Sequence, residues 1–227
     1  MERDFLLMQL NDSYFPVGSY AHSYGLETYI QKNLVCDEKT AENYIVQKTG
    51  HGFLYGELLT AKLAWEAASE KNMGALLHLN EIIESSKIAS EILDASRKTG
   101  ARFIKTIGGM EILREHDFFQ SYCRQSEKRY YYEVVYGVVC ACSGINCRKA
   151  AKRYLYAQAS AMATNCVKLI PLSQISGQKI LNACIATFEE ILNILPTLSE
   201  DDLFLSTPGF DIRCMQHEGL YSRLYMS

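Results

Sequence analysis

Apolar residues recur at helical spacing along almost the whole chain, with few prolines to interrupt them. Leu155, Ala159, Met162, Cys166 and Leu169 fall at i, i+4, i+7, i+11 and i+14, so they share one face of a helix. Pro171 stops that helix because it has no N–H to continue the ladder. A second stripe, Ile180, Cys184, Phe188, Ile191 and Leu195, ends at Pro196, and Ser176 is its expected N-cap. Ile88, Ile92, Ala95, Phe103 and Ile107 form a third stripe on Ser86–Met110. Only four prolines occur in 227 residues. The same spacing predicts helices over Phe5–Leu10, Ala21–Lys32, Thr40–Ala68 and Met73–Glu84, with loops at Asn11–Tyr20, at Pro171–Ser176 and at an extended start of the last segment. No stretch alternates with a period of two between hairpin turns. The expectation is an all-α fold, a single compact multi-helix domain of about eight to ten helices over residues 1–227.

Hydrophobic residues make up 48% and charged residues 22% of the chain, which excludes disordered and fibrous classes. A net charge of −3 and a pI near 6.0 give no electrostatic footprint for nucleic acid. The run Arg148, Lys149, Lys152 and Arg153 reads as a solvated helix face, as do the carboxylate pairs Glu189–Glu190 and Asp201–Asp202. Glu2, Arg3 and Asp4 follow Met1 where a signal peptide would be apolar, and Val134–Ile145 is too short to span a bilayer. A cytoplasmic protein without a membrane segment is expected, its eight cysteines reduced and mostly in the core.

The chemistry-bearing residues do not assemble into a known catalytic pattern. His22, His51, His78, His116 and His217 are scattered singly, and Cys140 and Cys142 point about 160° apart on a helix, so no intrinsic metal site is expected. A site shared with a partner through His217 or Cys214 stays open. Neighbours such as His22 and Ser23 diverge by about 100° on a helix and do not make a nucleophile and base; a backbone carbonyl is the expected partner of His22. No phosphate-binding glycine motif precedes a helix, and Gly108–Gly109 lacks the lysine that would cradle phosphate. Neither a catalytic residue nor an intrinsic cofactor is expected. Gly52 and Gly56, and Gly137 and Ala141, lie four apart and predict close approach of neighbouring backbones.

The last twenty residues, PGFDIRCMQHEGLYSRLYMS from Pro208 to Ser227, are too rich in aromatic, apolar and arginine side chains to be left uncovered in water. Tyrosine and arginine dominate interface hot spots because a rigid ring or planar fork buries much area at low entropic cost. Arg213, Met215, Gln216, His217, Tyr221 and Arg223, together with Tyr20, are therefore the candidate partner-binding residues, on a segment of about 200–227. The competing reading is that Tyr221, Leu224 and Tyr225 pack this segment onto its own domain.

Three stretches resemble the urease accessory protein family UreF in matching order. They are Phe15–Tyr29 (FPVGSYAHSYGLETY), Tyr154–Leu181 (YLYAQASAMATNCVKLIPLSQISGQKIL) and the last segment. Within them Pro16, Gly18, His22, Gly25, Pro171, Gln174, Gly177 and Gln178 are the structural signature. The resemblance also makes Tyr131–Ser143 a helix, although its YYYEVVYGVVC run is rich in β-formers. It implies a non-enzymatic, homodimeric assembly factor that binds UreD (also called UreH). That complex recruits the GTPase UreG to deliver nickel to apo-urease, so nickel is handled by the complex and GTP by UreG. Tyr20 and Arg223 are the leading partner contacts so implied. The alternative is a direct regulator of UreG that inserts Arg213 or Arg223 as an arginine finger. Tyr131, Tyr132 and Glu133 stand where a histidine and proline are usual, and no role is carried over to them.

Overall fold

The computed structural model describes residues 2–126, 129–205 and 207–227, with the Tyr20 side chain outside that description. Eleven α-helical segments follow one another: α1 (Arg3–Leu10), α2 (Leu26–Gln31), α3 (Glu38–Gln47), α4 (Leu59–Ser69), α5 (Met73–Ser86), α6 (Ser90–Gly109), α7 (Asp117–Gln125), α8 (Tyr132–Cys142), α9 (Cys147–Leu169), α10 (Gln174–Ile194) and α11 (Pro208–His217). A π-helical stretch, Lys48–Leu58, joins α3 to α4. The described residues form ten helical rods when α3, the π stretch and α4 are taken as one, and they contain no strand. The all-α expectation holds.

Helix α8 is the axis of the molecule. Glu133 to Cys140 are all buried, and a helix that is apolar on every side belongs in a core, which explains β-forming residues in a helix. Gly137 lets α4 press against it: a β-carbon there would lie 2.3 Å from the Ala61 carbonyl oxygen. This approach lies inside the subunit. Beside it, Phe103 stacks edge-on with Tyr132 at 5.4 Å and Tyr154 with Phe53 at 5.0 Å. The core runs on through Leu155, Ala159 and Cys166 of α9 and Ile180, Cys184, Phe188 and Ile191 of α10, the faces read from spacing.

Local chemistry sets most boundaries. The Asp37 carboxylate accepts the Thr40 N–H at 2.8 Å to open α3, and Asn146 accepts the Lys149 N–H at 3.1 Å to open α9. Several expectations are corrected. Ser173, not Ser176, caps α10, accepting the Ser176 N–H at 3.0 Å. Ile88 is 61% exposed and precedes α6. Ala21–Lys32 is not one helix: a 3-10 turn at Ser19–Ala21 is followed by extended His22, and by Tyr24 and Gly25 with φ of +52° and +85°, before α2 begins. Thr40–Ala68 is helical but not α throughout; Gly50, Gly52 and Gly56 fall in its π stretch, and Gly52 and Gly56 do not mark a close backbone approach, since a β-carbon there would meet only side chains of Lys48, Phe210 and Phe204 at 3.5 Å or more. The start of the last segment is not extended, because Pro208 preorganises the first turn of α11.

Candidate functional site

The N-terminal signature and the last segment meet and lock together. The signature's turn is built on Gly25, whose positive φ favours glycine and whose missing β-carbon would otherwise fall 2.7 Å from Cys214 Sγ of α11. That turn exposes consecutive N–H groups. The main-chain oxygen of Ser227 accepts the Ser23 N–H at 2.6 Å, the Tyr24 N–H at 3.1 Å and the Ser23 hydroxyl at 2.8 Å. The Met226 N–H donates to the Ala21 carbonyl at 2.8 Å. His22 Nδ1 shares a hydrogen bond of 2.8 Å with the Ser227 hydroxyl, which corrects the expected backbone carbonyl. Burial holds the His22 pKa below 6.5, with Lys98 adding to the effect.

Carboxylates from two helices hold the other side. Glu27 of α2, 4% exposed, accepts the Leu224 N–H at 2.8 Å and the Tyr225 N–H at 3.2 Å. His217, fully buried, faces Glu27 through Nε2 at 3.2 Å and Glu91 of α6 through Nδ1 at 2.6 Å. Arg223 Nη1 donates to the other Glu91 oxygen at 2.7 Å. The Tyr225 hydroxyl donates to Asn165 Oδ1 at 2.9 Å, and the Asn165 amide donates to the His22 carbonyl at 3.2 Å. The segment is thus packed onto its own fold by main-chain bonds and inward side chains.

The candidate partner residues divide accordingly. His217 is spent inside, and Arg223 is partly spent on Glu91. Arg213 lies over the Tyr29 ring at 5.7 Å and donates to Gln216 at 2.8 Å. Met215, Gln216 and Tyr221 face outward, and Tyr221, Leu224 and Met226 are open to solvent. The Tyr20 side chain lies outside the described residues. Cys214 is buried, its thiol raised by that burial, and lies 3.5 Å from the Tyr24 carbonyl, so neither it nor His217 points toward a partner. Among the described residues no three His, Cys, Asp or Glu side chains converge as a metal site.

Of the remaining signature residues, Pro16 is exposed between buried Phe15 and Val17, and Gly18 takes a φ of +82° beneath the Arg102 side chain. Pro171 is exposed on the break between α9 and α10, and Gln174 and Gln178 are exposed on the first turns of α10, where Gly177 is buried against Val167. They do not join the junction.

Sequence reasoning missed Glu27, Glu91 and Asn165. Asn165 carried a signal, because it is a polar residue set beside Met162, Cys166 and Leu169 on a core-facing stripe. Glu27 lies inside the N-terminal signature word but next to a turn that was read as helix, which hid its inward direction.

A family model described as UreF matches residues 35–185. Curated relatives named urease accessory protein UreF are similar along the chain. The one from Bacillus sp. (strain TB-90) is 33% identical over 229 residues, covering 100% of both chains. That from Actinobacillus pleuropneumoniae serotype 3 (strain JL03) is 33% identical over 221 residues, 97% of each chain. That from Streptococcus salivarius (strain 57.I) is 30% identical over 226 residues, 99% of this chain and 95% of the relative. With the family model matching residues 35–185 and relatives of that name about a third identical along its full length, this chain belongs to the UreF family of urease accessory proteins.

Proposed function

We propose that this protein is a non-catalytic scaffold in urease maturation, which binds UreD (UreH) and recruits UreG so that nickel reaches apo-urease. The observation that carries this reading is the junction itself. Its main chain is fixed by buried hydrogen bonds while Met215, Tyr221, Leu224 and Met226 are left outside, and apolar anchors on a rigid backbone bind with little ordering cost. Nickel is cargo of the complex and GTP belongs to UreG.

Co-purification with UreD and GTP-bound UreG tests it. The double variant Tyr221→Ala, Leu224→Ala is expected to keep the melting temperature of the parent and to lose UreD. Arg223→Ala is expected to lose both stability and UreD, since it also frees Glu91. Full retention of UreD and UreG by the double variant would sink the reading. No observation favours the arginine-finger alternative, because both arginines are bonded within the fold.

For the homodimer expected of such a scaffold, we propose the groove between α1, α9 and α10 as the contact face. Its volume is about 510 Å³, and Met8, Tyr156 and Ile185 stand exposed along it. The charges at its rim are paired within the subunit, Lys149 with Asp4 at 2.9 Å and Lys152 with Glu189 at 2.7 Å, so the apolar residues are what a second copy of the chain would cover. Ile185→Glu is expected to convert a dimer to a monomer in sedimentation, and an unchanged dimer rejects this face.

A further inference from the structure

A cleft partly open to solvent leads from Ile88 and Leu205 at its rim to Glu133 of α8. Its outer part, about 80 Å³, and its inner part, about 50 Å³, share Lys48, Glu57, Lys87, Ile92 and Cys214. The inner walls are aromatic, formed by Tyr24 of the signature turn, Phe53 of the π stretch, Tyr132 of α8 and Tyr154 of α9. Tyr154 is only 2% exposed, yet its hydroxyl borders the cleft, is not sealed from solvent and has no hydrogen-bond partner among the described residues. The Tyr24 and Tyr132 hydroxyls are likewise unbonded there.

The cleft is charged, and its charges do not cancel. Lys87, between α5 and α6, lies 2.8 Å from Glu57 of the π stretch and 3.0 Å from Glu133 of α8, and the Ser96 hydroxyl donates to the other Glu133 oxygen at 2.6 Å. Lys87 takes one Glu57 oxygen, and no other residue among those described bonds the second. Asp211 of α11, half-buried in the outer part, makes no side-chain hydrogen bond or ion pair among the described residues. Lys48 does not pair with it but lies over the Phe210 ring at 4.7 Å. Three carboxylates thus face two ammonium groups, which leaves one negative charge unbalanced. Aromatic faces add to the pull on a cation, and walls of low dielectric focus the field into the cleft.

We propose that this cleft is a docking site for a lysine side chain of a partner protein, its ammonium held by Glu57 and Asp211 and its stem laid along Ile92 and the tyrosine rings. Lysine suits the cleft better than arginine. The open acceptors come from separate residues, and an ammonium can turn its three donors toward scattered oxygens, whereas a planar guanidinium is matched by one carboxylate taken bidentately. The rim points to a protein rather than a free amine: Ile88 and Leu205 are 61% and 48% exposed, and the chain that carries the lysine covers them.

Titration of the full chain, ring-labelled at tyrosine, with a capped leucine–lysine–leucine peptide tests this by NMR. Saturable shifts of the Tyr24, Tyr132 and Tyr154 ring signals are expected, with a Kd on the order of 1 mM. Asp211→Asn is expected to weaken binding about tenfold at an unchanged melting temperature, because Asp211 has no partner to lose. The same peptide with norleucine in place of lysine is expected to give no saturable shift. Absence of saturation with the lysine peptide, equal binding of the norleucine peptide, or an unchanged affinity in Asp211→Asn overturns the proposal. Butylammonium binding as tightly as the lysine peptide overturns the assignment to a partner protein. The titration uses neither UreD nor UreG, so its failure leaves the scaffold reading standing.

Discussion

Glu27 accepts two main-chain N–H groups of the last segment and faces His217, with both the carboxylate and the imidazole buried. Removing a buried carboxylate with that many partners leaves each of them unpaired, at a cost on the order of 3 kcal/mol. Glu27→Ala is therefore expected to lose about that much in urea unfolding and to open residues 218–227 to protease, and continued protection of that segment would contradict the packing argument. His22 works with the opposite sign. Its pKa is held below 6.5 by burial, so the unfolded chain binds more protons than the folded one as pH falls through 6.5, and stability declines in that direction until the folded histidine also titrates. His22→Gln, which keeps a hydrogen-bonding side chain without the titration, is expected to flatten the stability profile just below pH 6.5; a slope equal to the parent's would assign it to another group.

At the scale of elements, the contact of α4 with α8 depends on the absence of one β-carbon. Gly137→Ala would place a methyl group 2.3 Å from the Ala61 carbonyl and 2.9 Å from Ala64 Cβ, and backbone atoms give way less readily than a flexible side chain. Overpacking of this kind costs about 1–3 kcal/mol or more. A fall of several degrees in melting temperature is expected, and an unchanged value would mean that α4 can slide. The helices themselves were legible where apolar spacing and prolines act together, as in α9 and α10. Helix α7 was not, because its N-cap is His116, whose Nδ1 accepts the Phe119 N–H at 3.3 Å, an uncommon cap. The π stretch was equally hidden, since glycines at 50, 52 and 56 permit a widened turn without demanding one.

Over the whole molecule, the Glu57–Lys87–Glu133 triad ties the π stretch, the α5–α6 link and α8 together. Burial opposes charge on Lys87 and on Glu57, yet their mutual field, with Glu133 also acting on Lys87, raises the lysine pKa and holds the Glu57 carboxyl below 4.5. Lys87→Met would leave two carboxylates without their cation in the core and is expected to destabilise by about 3–5 kcal/mol, measured by denaturant unfolding. A loss under about 1 kcal/mol would mean that the carboxylates recover their hydration. The Glu57 contribution is present above pH 4.5 and is lost as pH falls through the folded value, so the parent should unfold more readily in acid than Glu57→Gln does relative to its own neutral-pH stability.

Spacing, turn residues and prolines are local properties, and they determined by themselves that this chain is all-α, which faces of α9 and α10 are buried and where those helices stop. The signature words likewise carried the family. Tertiary structure alone decided that residues 21–25 form a turn rather than a helix, that Glu27 points inward, and that the last segment lies on it. These outcomes depend on partners about 190 residues away in sequence, whose hydrogen bonds outweigh a local helical preference worth less than about 1 kcal/mol per residue. The same holds for the triad: each of its charged residues reads as surface in isolation, and only the fold supplies the opposite charge that makes burial tolerable.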